Sequence, residues 1–359
     1  MAVTQDEVLQ ALRAVQDPDL GRDVVSLGFV KDLRIDGGRV AVTLELTTPA
    51  CPVKDQLRAQ AEDAIRALGG VSDVEVTMTS QVRTSIADPQ GLLPSVKNIV
   101  PVASGKGGVG KSTASANLAL ALVQSGAAVG LLDADVYGPS IPMLLGITEA
   151  PQMDAQERML PVVKDGLKVM SMAFFLPAEE AVVWRGPMLH KAVQQFLGGV
   201  VWGELDYLII DLPPGTGDVQ LSLCQSTPIT GAVIVSTPQD VALNVAQKAI
   251  AMFKKLNAPI LGILENMSYY ECPHCRTREE IFGSGGARRI AERMGIPVLG
   301  AIPLATAVRT GSDAGRPIVL SDPDSAAARA FTDAAKQMAA QVSIRGLERQ
   351  ASGGIKINL

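Results

Sequence analysis

Apolar positions follow two rhythms along the chain, and the change falls near residue 95. In residues 1–82 the rhythm is amphipathic. Thr4 and Glu7 have capping-box spacing, and Val8, Leu12 and Val15 then set an apolar stripe on one helical face. Residues 39–46 (RVAVTLEL) alternate, with Val40, Val42, Leu44 and Leu46 on one side, which predicts a half-buried strand after the turn Asp36-Gly37-Gly38. Val53, Leu57, Ala61, Ile65 and Leu68 predict a second amphipathic helix ending at Gly69-Gly70, and Val74, Val76 and Met78 alternate again. The order α-β-β-α-β predicts a small two-layer α/β domain. Residues 83–94 (RTSIADPQGLLP) have no period and end in Pro, as a linker does.

From residue 95 the apolar runs become continuous: NIVPVA, AVGLLD, YLIID, GAVIVS, PILGIL and PVLGAI, separated by longer helical patterns. Strands apolar on both sides are covered on both faces, so residues 95–345 are expected to form a doubly wound, mostly parallel α/β sheet, with 346–359 as a C-terminal tail.

Charge and cysteine content narrow the possible partners. Lys and Arg total 32 against 37 Asp and Glu, a net of −5, which gives no basic footprint for nucleic acid. No window reaches 18 uninterrupted apolar residues, and the N-terminus has no basic stretch followed by an apolar run, so neither a membrane span nor a secretory signal is expected. Four cysteines cannot staple a chain of 359 residues, and the expected address is the cytoplasm, where thiols stay reduced.

Residues 105–112 read Gly105-Lys106-Gly107-Gly108-Val109-Gly110-Lys111-Ser112, a full match to G-x-x-x-x-G-K-[ST], followed by Thr113. A strand precedes it and a helical run over 112–123 follows, which is the context the motif needs. The glycines let successive N–H groups turn inward around phosphate at a helix N-terminus. Lys111 would reach the β- and γ-phosphates, and the Ser112 hydroxyl would ligate Mg²⁺. Lys106 is an additional cation that phosphate binding does not require; by itself it reads equally as a solvated loop lysine.

The string SGKGGVGKST resembles the deviant P-loop of the family that includes nitrogenase iron protein, MinD, ParA and the arsenite-pump ATPase. The resemblance implies a nucleotide-sandwich homodimer in which Lys106 reaches the partner's nucleotide. Two strands then end in acidic motifs, Asp133-Ala134-Asp135 and Asp211-Leu212-Pro213-Pro214-Gly215, at the carboxyl edge where such sheets bind ligands. Asp211 fits a Walker-B role, holding a Mg²⁺-bound water. Asp135 fits the first switch, where the family's aspartate orients the attacking water, with Asp133 the runner-up. Each aspartate could instead cap the turn that follows it. Gly215 and Gly217 would let a second switch loop respond to the γ-phosphate. Asn266 follows the strand at 260–264, where related ATPases read adenine with an asparagine; an ordinary turn asparagine is the alternative.

Cys272-Pro273-His274-Cys275 supplies two soft ligands where zinc and iron–sulfur clusters want four. A two-fold axis turns one CxxC into four thiolates, so a dimer could hold a cluster across its interface. A bridging zinc and a thiol/disulfide pair remain alternatives at this point. Cys51 lies just before the second helix of the small domain, where a helix N-terminus could favour thiolate and a part in transfer; a packed structural thiol is the other reading. Cys224 sits on an apolar helix face and reads as core, and His190 as a partly buried surface residue.

The strings LLDADVYGPSIP, VWRGPM, DYLIIDLPPGTGD, ENMSYYECPHC and IFGSGGARR, together with the phosphate loop, resemble the Mrp/ApbC iron–sulfur cluster carrier ATPases. DPDLGRDVVSLGFV and LTTPACP resemble the small iron–sulfur-assembly domain often fused in front of them. The resemblance covers nearly the whole chain. It implies ATP, Mg²⁺ and a [4Fe–4S] cluster held by Cys272 and Cys275, slow hydrolysis, and delivery to apo iron–sulfur proteins. A MinD/ParA-type positioning switch is the rival, but the helical run 324–342 carries Ala327, Phe331, Ala335, Met338 and Val342 without a basic face for lipid. In nitrogenase iron protein, the redox rival, the cluster cysteines come from two separate loops; here both lie in one CxxC.

Overall fold

The structure is a computed structural model that describes residues 3–85, 91–175, 186–272, 274–275 and 277–352, with side chains to Arg349. The chain divides into two compact units, one reaching to Arg83 and the other Thr84–Arg349.

In the first unit the predicted capping box is present. Helix α1 (Gln5–Leu12) opens with Thr4 Oγ1 accepting the Glu7 N–H at 3.3 Å and Glu7 Oε2 accepting the Thr4 N–H at 2.8 Å. Strands β1 (Val30–Asp36), β2 (Arg39–Leu46) and β3 (Asp73–Ser80) form one sheet, β1 antiparallel to β2 and β2 parallel to β3. A parallel pair needs a crossover, which helix α2 (Lys54–Arg66) supplies. Val40, Val42, Leu44 and Leu46 of β2 are buried, as are Leu57, Ala61 and Ile65 of α2.

The second unit is built on an eight-stranded sheet. Along the chain its elements are β4 (Ile99–Ser104), α3 (Lys111–Gln124), β5 (Val129–Asp133), β6 (Val162–Lys164), β7 (Leu167–Ser171), α4 (Gly186–Gly198), β8 (Tyr207–Asp211), α5 (Asp218–Ser226), β9 (Ala232–Ser236), α6 (Asp240–Lys255), β10 (Ile260–Glu265), α7 (Gly286–Met294), β11 (Val298–Ala301), α8 (Thr306–Asp313) and α9 (Ala326–Ser352). The strand order is β6-β7-β5-β8-β4-β9-β10-β11, parallel except for β6 at one edge. Every residue of β4, β5, β8, β9 and β10 is buried, which is why their sequences carry no alternation. From β4 the chain winds outward to β7, returns through β8 and continues on the other side from β9. The reversal leaves the carboxyl ends of β4, β5 and β8 bordering one crevice.

Two segments outside the predicted elements are ordered by the fold. The described end of the aperiodic stretch 83–94 packs down: Leu93 is buried in the core and the Ser85 N–H donates to Lys97 O at 3.2 Å. Helix α9 runs to Ser352, past the stripe at 324–342 and past residue 345. Arg349 tethers its last turns, donating to Ser85 O at 2.7 Å and Ile229 O at 3.5 Å. Residues 183–185 of the VWRGPM string, Pro273 and residues 353–359 lie outside the described residues.

Candidate functional site

The phosphate loop joins β4 to α3, and backbone geometry explains its glycines. Gly108 and Gly110 have φ of +80° and +79°, a region that L side chains rarely adopt. A Cβ at Gly105 would run into the backbone of α6, 2.6 Å from Ala246 N, and one at Gly110 would meet the Asn266 amide. Helix α3 starts without a side-chain cap at Gly110, so its first-turn N–H groups are left for an anion. Val109 is buried, Gly107 and Gly108 are exposed, and Lys106 is half-buried with its carbonyl accepting from Ser104 Oγ at 3.0 Å. Among the described residues the Lys106 ammonium makes no ion pair.

Behind the loop lies a buried polar cluster. Lys111 Nζ stands 2.7 Å from Asp211 Oδ2 and 3.7 Å from Asp135 Oδ2. The Ser112 hydroxyl donates to the same Asp211 oxygen at 2.6 Å, and the Ser115 hydroxyl donates to Asp211 Oδ1 at 2.6 Å. Taking such charges out of water is costly, and here each is met by an opposite charge or a donor. Sequence reasoning missed Ser115, although it lies one turn beyond Ser112 on the same helix and so faces the same way. Asp133 is fully buried and its oxygens are occupied, accepting from Ser171 Oγ at 2.9 Å, Ile141 N at 3.1 Å and Asp135 N at 3.2 Å. It folds the 134–140 turn that presents Asp135. Burial, reinforced by the neighbouring Asp211 charge, pushes the Asp133 carboxyl up to about 7.

The loop after β8 is braced from beneath. Gly215 takes φ +96°, its N–H donates to Ser104 O at 2.8 Å, and the buried Gln220 amide donates to Pro213 O at 2.7 Å and Gly215 O at 3.2 Å. Beside the phosphate loop, a cavity of about 260 Å³ is lined by Gly110, Thr113, Asn266, Met267, Leu304 and Asp313, among others. Asn266 is held at its wall, Nδ2 donating to Val109 O at 2.9 Å. The segment around Leu304 was not legible as part of this site, because only the fold brings it there.

The cysteine pair lies just beyond Asn266. Tyr270–Glu271 and Arg278–Glu279 pair antiparallel, so Cys272, His274, Cys275 and Thr277 lie at the tip of a hairpin. Arg278 braces it, its guanidinium 4.5 Å from the centre of the Tyr269 ring and 3.2 Å from Glu271 Oε2. At the tip the Cys272 N–H donates to Thr277 O at 3.0 Å, and Cys275 Sγ lies 3.2 Å from Thr277 Oγ1. Hydrogen bonds from the Thr277 side chain and backbone, then from Cys272, hold the exposed Cys275 thiol below its ordinary range. Among the described residues no group of three or more His, Cys, Asp and Glu could hold a metal ion, so within one chain the two thiols stand without further ligands.

The other cysteines are different. Burial pushes Cys51 up to about 11, which favours the packed structural thiol over the thiolate that the adjacent helix N-terminus could support. α2 begins only at Lys54, and the burial of the thiol outweighs its dipole. Cys224, partly buried against the core, is likewise raised by burial to about 11. His190 is half-buried on α4.

Comparison with known proteins gives the family and the fold. Residues 95–339 match the family described as NUBPL iron-transfer P-loop NTPase, and residues 5–78 match the iron–sulfur cluster assembly protein family. The chain is 51% identical over 343 residues to the iron–sulfur cluster carrier protein of Deinococcus radiodurans, covering 95% of this chain and 97% of that one. It is 46% identical over 273 residues to the mouse iron–sulfur cluster transfer protein NUBPL, covering 76% of this chain and 86% of the relative. Among solved structures, a nucleotide-binding protein from Archaeoglobus fulgidus in complex with ADP matches with 43% identity and a TM-score of 0.56, over 62% of this chain and 88% of that one. The cell-division ATPase MinD of Pyrococcus furiosus, 24% identical with a TM-score of 0.52 over 67% of this chain and 98% of its own, shares the fold. With a family match across most of its length and such relatives over nearly all of it, the chain belongs to the NUBPL-type iron-transfer P-loop NTPases, carrying an N-terminal iron–sulfur cluster assembly domain.

Proposed function

We propose that the chain is an iron–sulfur cluster carrier that works in the cytoplasm as a homodimer, binds and slowly hydrolyses ATP, and delivers a [4Fe–4S] cluster to apo-proteins. One observation carries the reading: the hairpin holding Cys272 and Cys275 is bonded at its base to the segment that lines the cavity beside the phosphate loop. The Leu304 N–H donates to Tyr269 O at 2.7 Å and the Ser268 N–H donates to Ile302 O at 2.9 Å. A thiol pair and a nucleotide site thus share one structural element.

In this reading the N–H groups of 105–113 cradle the β- and γ-phosphates, and Lys111 exchanges its contact with Asp211 for one with phosphate. The Ser112 hydroxyl and, through a water, Asp211 would hold Mg²⁺, whose charge offsets that of the phosphates; their oxygens already converge at 2.6 Å. Asp135 orients the attacking water, and Lys106, with no carboxylate partner among the described residues, reaches the partner subunit's nucleotide. Asn266 meets the adenine.

Two chains bring four thiolates, the number a cluster needs. Delivery is a ligand exchange without net redox change. Each incoming client thiol gives up a proton as it bonds to iron, and each departing cysteine thiolate takes one up. The test is to mix reconstituted protein with an apo four-iron dehydratase and follow recovered activity with and without ATP. Transfer whose rate responds to ATP in the wild type, and no longer responds in Lys111→Ala, is expected. A loaded protein that activates no client would overturn the reading.

A further inference from the structure

Glu265, the last residue of β10, is a buried carboxylate at 3% exposure with no cation paired to it among the described residues. Its charge is met by donors from both ends of the segment that carries the cysteines. Oε1 accepts from Ser268 Oγ at 2.6 Å, on the outgoing side, and from the Gly285 N–H at 3.3 Å, on the returning side. Oε2 accepts from the Ala287 N–H at 2.6 Å. Helix α7 begins at Gly286, and Gly285 at its N-cap offers no side-chain cap, so a carboxylate from β10 does the capping, with the favourable sign for the helix dipole. The Glu265 backbone is fixed as well, its carbonyl accepting the Ile302 N–H at 2.8 Å.

We infer that Glu265 is the positioning residue of the cysteine hairpin: its carboxylate clamps residues 268 and 285–287 together and so sets where Cys272 and Cys275 stand. The inference rests on the proposed reading that these two thiols hold the cluster. The physical ground is that ligands hold a metal group well only when their supporting partners fix them, and loss of such a partner costs roughly 10- to 100-fold in affinity. Between Ser268 and Gly285 the chain runs through the hairpin, and this carboxylate is bonded to both ends of that excursion.

Glu265→Gln tests the clamp at nearly constant volume, because the amide nitrogen cannot accept from a backbone N–H. Ser268→Ala removes only the outgoing contact. In anaerobically reconstituted protein, Glu265→Gln should lose iron to a chelator on the order of tenfold faster than wild type, with Ser268→Ala shifted less in the same direction. In the metal-free protein, the alkylation profile, meaning the rates of Cys272 and Cys275 relative to each other at one fixed pH, should move away from that of wild type in Glu265→Gln, while nucleotide binding reports that the ATPase unit is folded. A destabilised but correctly positioned hairpin would lower the melting temperature without moving that profile. Equal iron loss and an unmoved alkylation profile in Glu265→Gln would overturn the inference; if that variant does not bind nucleotide, the same result in Ser268→Ala overturns it. Should wild type hold no iron, the cluster reading fails, and the alkylation profiles still decide the clamp.

Discussion

The Asn266 side-chain amide donates to Val109 O across 2.9 Å, bonding the first residue after β10 into the phosphate loop. Six residues further on stands Cys272. The phosphate loop and the root of the cysteine segment are thus bonded directly to each other. Asn266→Ala deletes a buried hydrogen bond, worth about 1 kcal/mol, and a wall of the cavity. ATP affinity should fall roughly fivefold to tenfold by titration calorimetry. An unchanged affinity would remove Asn266 from the nucleotide site.

Lys111 and Lys106 are expected to fail differently. Lys111→Ala removes the cation nearest Asp211, and the rise in melting temperature on adding ATP should vanish. Lys106→Ala should leave nucleotide binding by the monomer within about twofold, because its ammonium lies outside the buried cluster, yet abolish ATP-dependent association in analytical ultracentrifugation. Equal loss of binding in both variants would contradict a role for Lys106 across the interface.

The buried Asp133 gives stability a pH dependence of definite sign. Its folded pKa, about 7, exceeds the unfolded value near 3.8, so the folded state binds more protons between them. The contribution is least unfavourable below pH ~4, and stability is lost as pH rises toward ~7. The buried Trp202 lies in the second unit, so its fluorescence during denaturation reports that unit. From pH 5 to 8 the wild-type denaturation midpoint should fall more steeply than that of Asp133→Asn. Parallel profiles would show that Asp133 is not the titrating group.

How much of this was legible depends on which contacts are local. The buried strands, the capping box at Thr4 and the phosphate loop are written in runs and spacings of a few residues, and they could be read. Ser115 was legible in principle, one turn past Ser112. Glu265, Thr277 and Leu304 were not, since their meaning comes from partners that the sheet order brings to them. The packing of Leu93 and the tether at Arg349 were not legible either, because aperiodic sequence shows no partner until the fold supplies one. Cys51 kept two readings open for an energetic reason: a nearby helix N-terminus suggests thiolate, and the burial that outweighs it comes only from the fold.

Three of the four thiols should separate by reactivity. At pH 7, alkylation of metal-free protein followed by mass spectrometry should modify Cys275 well ahead of Cys51 and Cys224, both held near 11 by burial. Comparable labelling of Cys51 would show that it is more accessible than its surroundings in the small unit indicate.

The central claim is that Cys272 and Cys275 of two subunits hold one cluster, and iron analysis of anaerobically reconstituted variants tests it most directly. Wild type, Cys51→Ala and Cys224→Ala should each contain about four iron and four sulfide per two chains with a visible cluster spectrum, and ATP binding should persist in all of them. Cys272→Ala and Cys275→Ala leave the dimer two thiolates and should hold no stable four-iron cluster, while still binding ATP. A colourless wild type with about one zinc per dimer, or a Cys272→Ala, Cys275→Ala double variant that keeps stoichiometric iron and sulfide, would contradict the account.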